Sequence, residues 1–407
     1  MVGPQTRRPP LNIATREVRD VQRHSLVMDS KELSPASIRN RLCQVTWGWY
    51  SMSMATGGIA VLLYNTPHRF TGLDTIGKII YIFNIVLFVA ISFCLGLRFI
   101  SRSSALKESF QAPNETHFVG TCPLALATII IGASSYGTDA CGPWLLVALR
   151  VIFWIYVAIA VIQAVVHNWY LYHRGMASAQ PFAIVRLLPS FPAMLSGTIA
   201  SVLAPSQPDE QAIPIIIGGT TLQGFGFTMS LFIYSEYFYR LNKEGLPKPS
   251  DRPEMFISVG PWSFTALALI GMANAAVEKF PERYIVSSTN ETGSTMAVET
   301  GQIALVLASL AGIFLWTLSF YCLCISILSV LAPCRVFGGH GGAPMSLAYW
   351  SMVFPNTGFV IATVKIGQVL QSEAILWVSS VLTVVQVAIW LAVAIATVWV
   401  LGSKGVL

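Results

Sequence analysis

The chain has 407 residues, of which 54% are hydrophobic and 11% are charged, whereas soluble domains carry roughly 25% charged residues. This composition excludes an ordinary soluble enzyme or binding domain and indicates an integral membrane protein. The formal net charge is +6, but its basic residues lie in the N-terminal tail and in short loops, so we expect a lipid bilayer as the partner and no nucleic acid.

Residues 1–43 form a polar segment that is rich in proline and carries eight Lys or Arg residues between Arg7 and Arg41. The segment contains no apolar core of the kind that a secretory signal needs. We therefore expect a disordered cytosolic tail, followed by one membrane domain over residues 44–401 and a short cytosolic C-terminus over residues 402–407.

Apolar windows of about 20 residues predict ten transmembrane helices in an all-α fold. The predicted helices lie at residues 45–64, 76–99, 117–136, 144–170, 185–204, 213–238, 256–276, 301–331, 347–366 and 374–401. An even number of helices returns both chain termini to the same side of the membrane.

Basic residues predict the orientation of these helices. With the N-terminus inside the cell, 19 Lys or Arg residues fall on the inner side and five on the outer side, as the positive-inside rule requires. Both termini are then cytosolic, and we expect a multi-pass protein of the plasma membrane. The sequon at Asn290 falls outside and is predicted to carry a glycan, whereas the sequon at Asn114 falls inside and stays unmodified.

The odd-numbered predicted helices contain glycine or proline in their interiors, whereas the even-numbered ones are smooth and bulky. The markers Gly57, Pro123, Pro192, Pro261 and Pro355 are separated by 66, 69, 69 and 94 residues. This period predicts five helical hairpins, with kinked odd helices lining a central pore and even helices outside them. The alternative is that small residues and prolines serve only to pack helices closely.

Four motifs resemble the tellurite-resistance and C4-dicarboxylate transporter family, which includes the plant slow anion channels. They are MATGGIA from Met54, NTPHRFTGL from Asn65, VGPWSFTALALIG from Val259 and FPNTGFVIATVK from Phe354. Within the family, the first motif followed by NTPHRFTGL looks most like the fungal malic acid transporters. The resemblance implies a homotrimer with one pore in each subunit, and it carries the role of a gating phenylalanine over to Phe354.

Helical spacing places Phe354, Gly358, Ile361 and Lys365 on one stripe of the ninth helix. In the alternative interpretation, Phe354 is a core residue and Lys365 reaches out to the membrane surface. Helix breaks free backbone N–H groups, and neighbouring hydroxyls add donors for a carboxylate. In the alternative interpretation, each hydroxyl bonds to a carbonyl group of its own helix. The predicted pore and substrate-binding residues are Thr56, Gly57, Pro123, Ser196, Thr198, Pro261, Ser263, Asn356, Thr357, Gly358 and Lys365.

Charged residues near the predicted inner membrane surface form a second set of candidates. Basic side chains there would concentrate anions at the inner mouth, although plain positive-inside charge is the alternative for each. These residues are Arg98, Arg186, Arg240 and Lys243. His117 and His167 are the candidates for proton coupling because histidine titrates near neutral pH.

These patterns predict a carrier of C4 dicarboxylates of the malate, succinate and fumarate class. Each negative charge entering a negative-inside cell is opposed by about 2.3 kcal/mol per 100 mV, so uptake needs protons while export runs downhill. A sulfite exporter or anion channel of the same family is the alternative, and a receptor or scaffold is a third. The sequence shows no HExxH, GxSxG or phosphate-loop motif, so we expect no enzyme, no cofactor and no metal site.

Overall fold

Helices form every regular element in the part of the chain that this computed structural model describes, which comprises residues 45–175, 183–281, 284, 299–332 and 345–404. The predicted N-terminal tail and the sequon at Asn290 lie outside the described residues. The prediction of an all-helical fold is confirmed.

Ten long helices follow one another along the described residues. They are α1 Tyr50–Asn65, α2 Leu73–Ser101, α3 Thr121–Cys141, α4 Pro143–Ile162, α5 Phe191–Leu203, α6 Asp209–Glu244, α7 Gly260–Lys279, α8 Thr300–Leu331, α9 Phe354–Val369 and α10 Glu373–Lys404. A π-helical turn, Gln163–His167, and the helix Asn168–His173 continue α4. A short helix, Ala105–Gln111, was not predicted because its seven residues are too few and too polar for an apolar window.

Eight of these helical segments are long and apolar enough to cross a membrane in the part of the chain described. The two others, α1 and α5, have 16 and 13 residues, which is short of the roughly 20 that span the hydrocarbon core. The 3₁₀ turn Trp47–Trp49 extends α1 at its start, and the 3₁₀ turn Ala204–Ser206 extends α5 at its end. The exact number of ten membrane crossings therefore stays a prediction.

Burial separates the helices into an inner and an outer set. Within the apolar windows of the α3, α7 and α9 segments, 72%, 94% and 72% of the residues are buried. In α1, 13 of 16 residues are buried, and in α5, 11 of 13. The even-numbered helices are only 17–33% buried, as expected for helices that face lipid. The predicted inner and outer arrangement is confirmed.

A 3₁₀ turn precedes each of the five inner helices. These turns are Trp47–Trp49, His117–Gly120, Ala183–Leu187, Arg252–Val259 and Leu347–Met352. In four of the five helices a proline follows within the first three residues, where its missing N–H disturbs no helical hydrogen bond. The regular recurrence of this junction gives the five hairpins the same internal design.

Gly57 is the exception among the predicted breaks. The helix α1 runs without interruption through Gly57, and the junction lies earlier, at Trp47–Trp49. The prediction of a broken helix at Gly57 is therefore wrong. The glycine instead permits close packing, because a Cβ added there would lie 2.5 Å from Asn84 Nδ2 and would also collide with Thr128.

The five inner helices form a closed ring. Each one packs against the inner helix of the next hairpin, and α9 returns against α1. Each outer helix also has one Tyr or Trp side chain that donates a hydrogen bond to the inner segment of the following hairpin, and the last outer helix donates to the first hairpin. The five bonds are Tyr81 to Ile129 O at 3.1 Å, Tyr156 to Pro192 O at 3.0 Å, Tyr234 to Ser258 O at 2.5 Å, Trp316 to Thr363 Oγ1 at 2.8 Å and Trp390 to Thr56 Oγ1 at 3.2 Å.

Candidate anion pathway

A narrow cavity lies on the axis of the ring and is lined by all five inner helices. Each helix contributes at least two side chains, among them Gly58, Thr128, Thr198, Phe264 and Ile361. Its volume is about 30 Å³, which admits water but not a four-carbon acid. The cavity is therefore too small to hold such an acid in this arrangement of the helices.

Three phenylalanine rings from three different helices bound the end of the cavity at which the inner helices begin. The ring of Phe354 stacks on Phe264 with centroids 4.9 Å apart and meets Phe191 edge-on at 6.3 Å. Phe191 and Phe264 are also in edge-to-face contact at 5.8 Å. On the opposite wall Gly58 leaves room for the ring, because a Cβ there would lie 3.2 Å from Phe354 Cδ2.

Phe191 and Phe264 were not among the predicted site residues. One signal was available in the sequence, because the dipeptide Phe191-Pro192 repeats the dipeptide Phe354-Pro355 at the start of another inner helix. No comparable pattern marks Phe264, which comes three residues after Pro261. Its partnership with Phe354 depends on how α7 and α9 pack together.

The other end of the cavity contains a cation. Lys365 lines the cavity, and the described residues provide no hydrogen-bond or ion-pair partner for its Nζ atom. Thr198, on α5, also lines the cavity, and its Oγ1 atom is buried without a hydrogen-bond partner among the described residues. Between Phe354 and Lys365 the path follows α9 for about 16 Å, at a rise of about 1.5 Å per residue. A free ammonium group and a free hydroxyl are the groups that an anion would bind.

Several predicted pore residues contribute to the cavity or to its walls. Thr357 lines it, and the hydroxyl of this residue donates to Phe354 O at 2.6 Å within its own helix. Gly358 provides the space for a neighbouring ring, since a Cβ there would lie 2.7 Å from Phe264 Cε2. Pro123 and Pro261 lie in the first turns of α3 and α7 and end the preceding 3₁₀ turns.

Other predicted pore residues lie away from the cavity. Thr56 receives the indole N–H of Trp390 from α10. The hydroxyl of Ser263 donates to Val259 O at 2.9 Å, within its own helix. Asn356 faces a groove between α8 and α10, and Ser196 is buried with no hydrogen-bond partner for its hydroxyl. Their proposed contact with substrate stays a prediction.

The cations predicted to attract anions are largely paired. Arg98 makes a two-pronged contact with Glu115 at 2.5 and 2.9 Å. The carboxylate of Glu236 accepts from Arg186 at 2.5 Å and from Arg240 at 2.8 Å. The fourth cation, Lys243, lies 5.5 Å from the ring of Tyr239. Two carboxylates thus offset half of the positive charge of this predicted mouth, a pairing that linear sequence did not reveal.

The two candidate histidines lie close to each other where the 3₁₀ turn before α3 meets the π-helical turn after α4, outside the cavity lining. His167 receives a hydrogen bond from Gln163 at 2.8 Å and contacts Thr116 Oγ1 at 3.1 Å. The π-helical turn places His167 in this position. His117 is buried, and its Nδ1 atom lies 3.1 Å from Pro113 O, whereas its Nε2 atom has no partner.

The fold and the cavity define a class of protein. A multi-pass helical membrane protein whose only cavity-lining charge among the described residues is a free lysine is suited to passing anions. The sequence pattern of a family described as voltage-dependent anion channel matches residues 44–398. The chain belongs to this family, which confirms the resemblance to the transporters that include the plant slow anion channels.

Individual relatives cover most of the chain. The malic acid transport protein of Schizosaccharomyces pombe is 32% identical over 91% of this chain and 82% of its own length. A putative malic acid transport protein of the same organism is 30% identical, with 92% and 84% covered. A sulfite efflux pump of Arthroderma benhamiae is more distant, at 23% identity with 86% and 89% covered. This chain is therefore similar to membrane transporters of anions.

Proposed function

We propose that this protein carries malate and related C4 dicarboxylates across the plasma membrane through the central cavity. The two relatives at 30–32% identity are described as malic acid transport proteins. The sulfite pumps are less similar, at 22–23% identity. Similarity of this extent over nearly the whole chain supports dicarboxylates as the substrate class ahead of sulfite.

The observation that carries the proposal is the free cation in a closed cavity. Lys365 has no carboxylate partner among the described residues, so its charge is available to a passing anion. Charge-assisted hydrogen bonds are among the strongest in proteins, and the unpartnered hydroxyl of Thr198 adds a donor from another helix of the cavity lining. A carboxylate between these two groups would satisfy both.

The ring of Phe354 is the gate in this proposal. It lies between Phe264, Phe191 and the glycine wall at Gly58. Rotation or displacement of the ring would connect the cavity with the 3₁₀ turns. The side chains at the Lys365 end of the cavity would remain in place during that motion.

The membrane potential determines how transport is driven. A dianion entering a negative-inside cell is opposed by about twice 2.3 kcal/mol per 100 mV, so uptake requires protons, and His117 and His167 are the proposed titrating groups. We also propose cytosolic termini, from the distribution of basic residues, and a homotrimer, from the family resemblance.

Transport of labelled anions into vesicles that contain the purified protein tests the proposal. We expect uptake of malate, competition by succinate and fumarate, and a dependence on an inward proton gradient. The Lys365→Gln variant is the control for passage through the cavity, and at equal protein content its uptake should fall at malate concentrations that do not saturate the wild-type protein. Transport of sulfite without transport of malate would contradict the assignment to dicarboxylates and favour the sulfite alternative.

A further inference from the structure

Gln386 reaches from an outer helix to the junction that precedes the gate. The residue lies in α10 with only 3% of its surface exposed. Its Nε2 group donates to Val353 O at 2.9 Å and lies 3.4 Å from Met352 O. Val353 and Met352 are the two residues directly before Phe354, so the amide contacts the backbone from which the gating ring extends.

The carbonyl groups of this junction also accept hydrogen bonds from α9 itself. Pro355 lies in the first turn of α9, where its missing N–H disturbs no helical hydrogen bond. The side chain of Asn356 donates to Met352 O at 2.8 Å, and the backbone N–H of Thr357 donates to Val353 O at 3.1 Å. Gln386 adds a second donor to Val353 O, and this donor comes from outside the ring of inner helices.

The same face of α10 also contacts the wall opposite the gate. Trp390 follows Gln386 by one helical turn and donates to Thr56 Oγ1 in α1 at 3.2 Å. Two residues further along α1 lies Gly58, against which the Phe354 ring packs. The outer helix α10 is therefore bonded both to the residue before the ring and to α1, the helix that carries Gly58.

We propose that Gln386 is a positioning residue that keeps the Phe354 ring in its closed arrangement by binding the carbonyl of Val353. The inference rests on the proposed gating role of Phe354 and goes beyond it, because it assigns control of the gate to a helix that faces lipid. Loss of the amide frees the junction to rotate, which releases the ring from Phe264 and Phe191.

The test is a double-mutant cycle on anion flux divided by the amount of folded protein in the membrane. Gln386→Met preserves side-chain length but removes the donor. A single net hydrogen bond corresponds to roughly a three- to tenfold change in the ratio of open to closed forms, so we expect a rise of that size in the wild-type background. In the Phe354→Ala background the ring is absent, and Gln386→Met should then change flux by less than about twofold.

Thr397→Val is the matched control in the same helix. Its hydroxyl is buried and donates only to Val393 O within α10, at 2.8 Å, so its loss should leave normalised flux unchanged in both backgrounds. An equal effect of Gln386→Met with and without the Phe354 ring overturns the inference, because it shows action by another route. A fall in folded protein with no change in normalised flux also overturns it, since Gln386 would then be structural only.

A second readout separates this inference from the proposed substrate. Each flux is measured with malate, sulfite and nitrate. Transport of nitrate without malate would refute the assignment to dicarboxylates, and the double-mutant cycle on Gln386 would still be measured with nitrate. The rate at which a charged thiol reagent modifies an Ile361→Cys variant measures how easily the reagent passes the gate, and this readout needs no transport assay. Gln386→Met should accelerate that modification several-fold, and an unchanged rate would contradict the inference.

Discussion

Truncation of the gating ring is the most informative single change. Phe354→Ala removes a side chain that is only 2% exposed. The centroid of its ring lies 4.9 Å from that of Phe264 and 6.3 Å from that of Phe191. The substitution leaves Lys365 and Thr198 intact at the other end of the cavity. The variant therefore opens the narrow end without removing the groups that bind anions.

The size of the effect follows from the two aromatic contacts. Each such pair contributes about 0.5–1.5 kcal/mol beyond the area it buries, so two pairs stabilise the closed form by about 1–3 kcal/mol. About 1.4 kcal/mol corresponds to a tenfold change in an equilibrium. We expect anion flux per folded molecule to rise roughly tenfold, and we expect proton dependence to weaken because an open path needs no coupled step.

The competing outcome has its own signature. A buried Phe→Ala change in a core costs about 3–5 kcal/mol of stability, which reduces the amount of folded protein without any gain in flux per molecule. Phe359→Ala is the matched control, since Phe359 is also in α9, is also 2% exposed and stacks on Trp316 at 5.2 Å, outside the cavity.

Uptake or current is measured in vesicles and divided by folded protein, which is quantified by size-exclusion chromatography. Phe359→Ala should lower protein yield and leave normalised flux unchanged. If Phe354→Ala behaves in the same way as Phe359→Ala, the ring is core packing and the gating role is refuted.

Three further predictions concern charge and topology. Lys365→Gln should weaken apparent malate affinity roughly tenfold or more, whereas Lys365→Arg should retain most of it; equal losses in both variants, measured from uptake against substrate concentration, would show that charge is not the reason. Glu236→Gln removes the carboxylate that Arg186 and Arg240 share. Anion affinity should therefore rise at low ionic strength and return to the wild-type value at high ionic strength. A rise that is independent of salt would indicate a direct contact. Expression in a eukaryotic host should attach a glycan that Asn290→Gln abolishes and Asn114→Gln does not, and the opposite pattern on glycosidase treatment would invert the topology.

The arrangement of inner and outer helices was predictable from sequence because lipid imposes a simple constraint. A helix that exposes proline or glycine breaks to hydrocarbon leaves backbone groups unsatisfied, so the broken helices had to be inside. The period of Pro123, Pro192 and Pro261 then gave five similar units. The same logic failed at Gly57, because glycine also serves close packing, and only the neighbouring side chains distinguish the two uses.

Contacts between distant segments were not predictable. The polar residues of the outer helices, such as Gln386 and Tyr156, appeared in sequence as minor interruptions of smooth apolar runs. In the structure they donate to carbonyl groups at the junctions of inner helices. The pairing of Arg186 with Glu236 joins residues 50 positions apart, and no local pattern marks it. The cation at Lys365 was visible in the sequence. That it has no partner among the described residues could be seen only in the packed structure of the inner helices.

The central claim is that anions pass through the cavity between the five inner helices, and cysteine substitution tests it most directly. Ile361 lines this cavity, whereas its neighbour Val360 lines a groove between the inner helix and the lipid-facing helices. We expect a negatively charged thiol reagent to block malate uptake in Ile361→Cys, with malate slowing the block, and to leave uptake unchanged in Val360→Cys. Modification of Ile361→Cys that does not reduce uptake, or a block confined to Val360→Cys, would contradict the account.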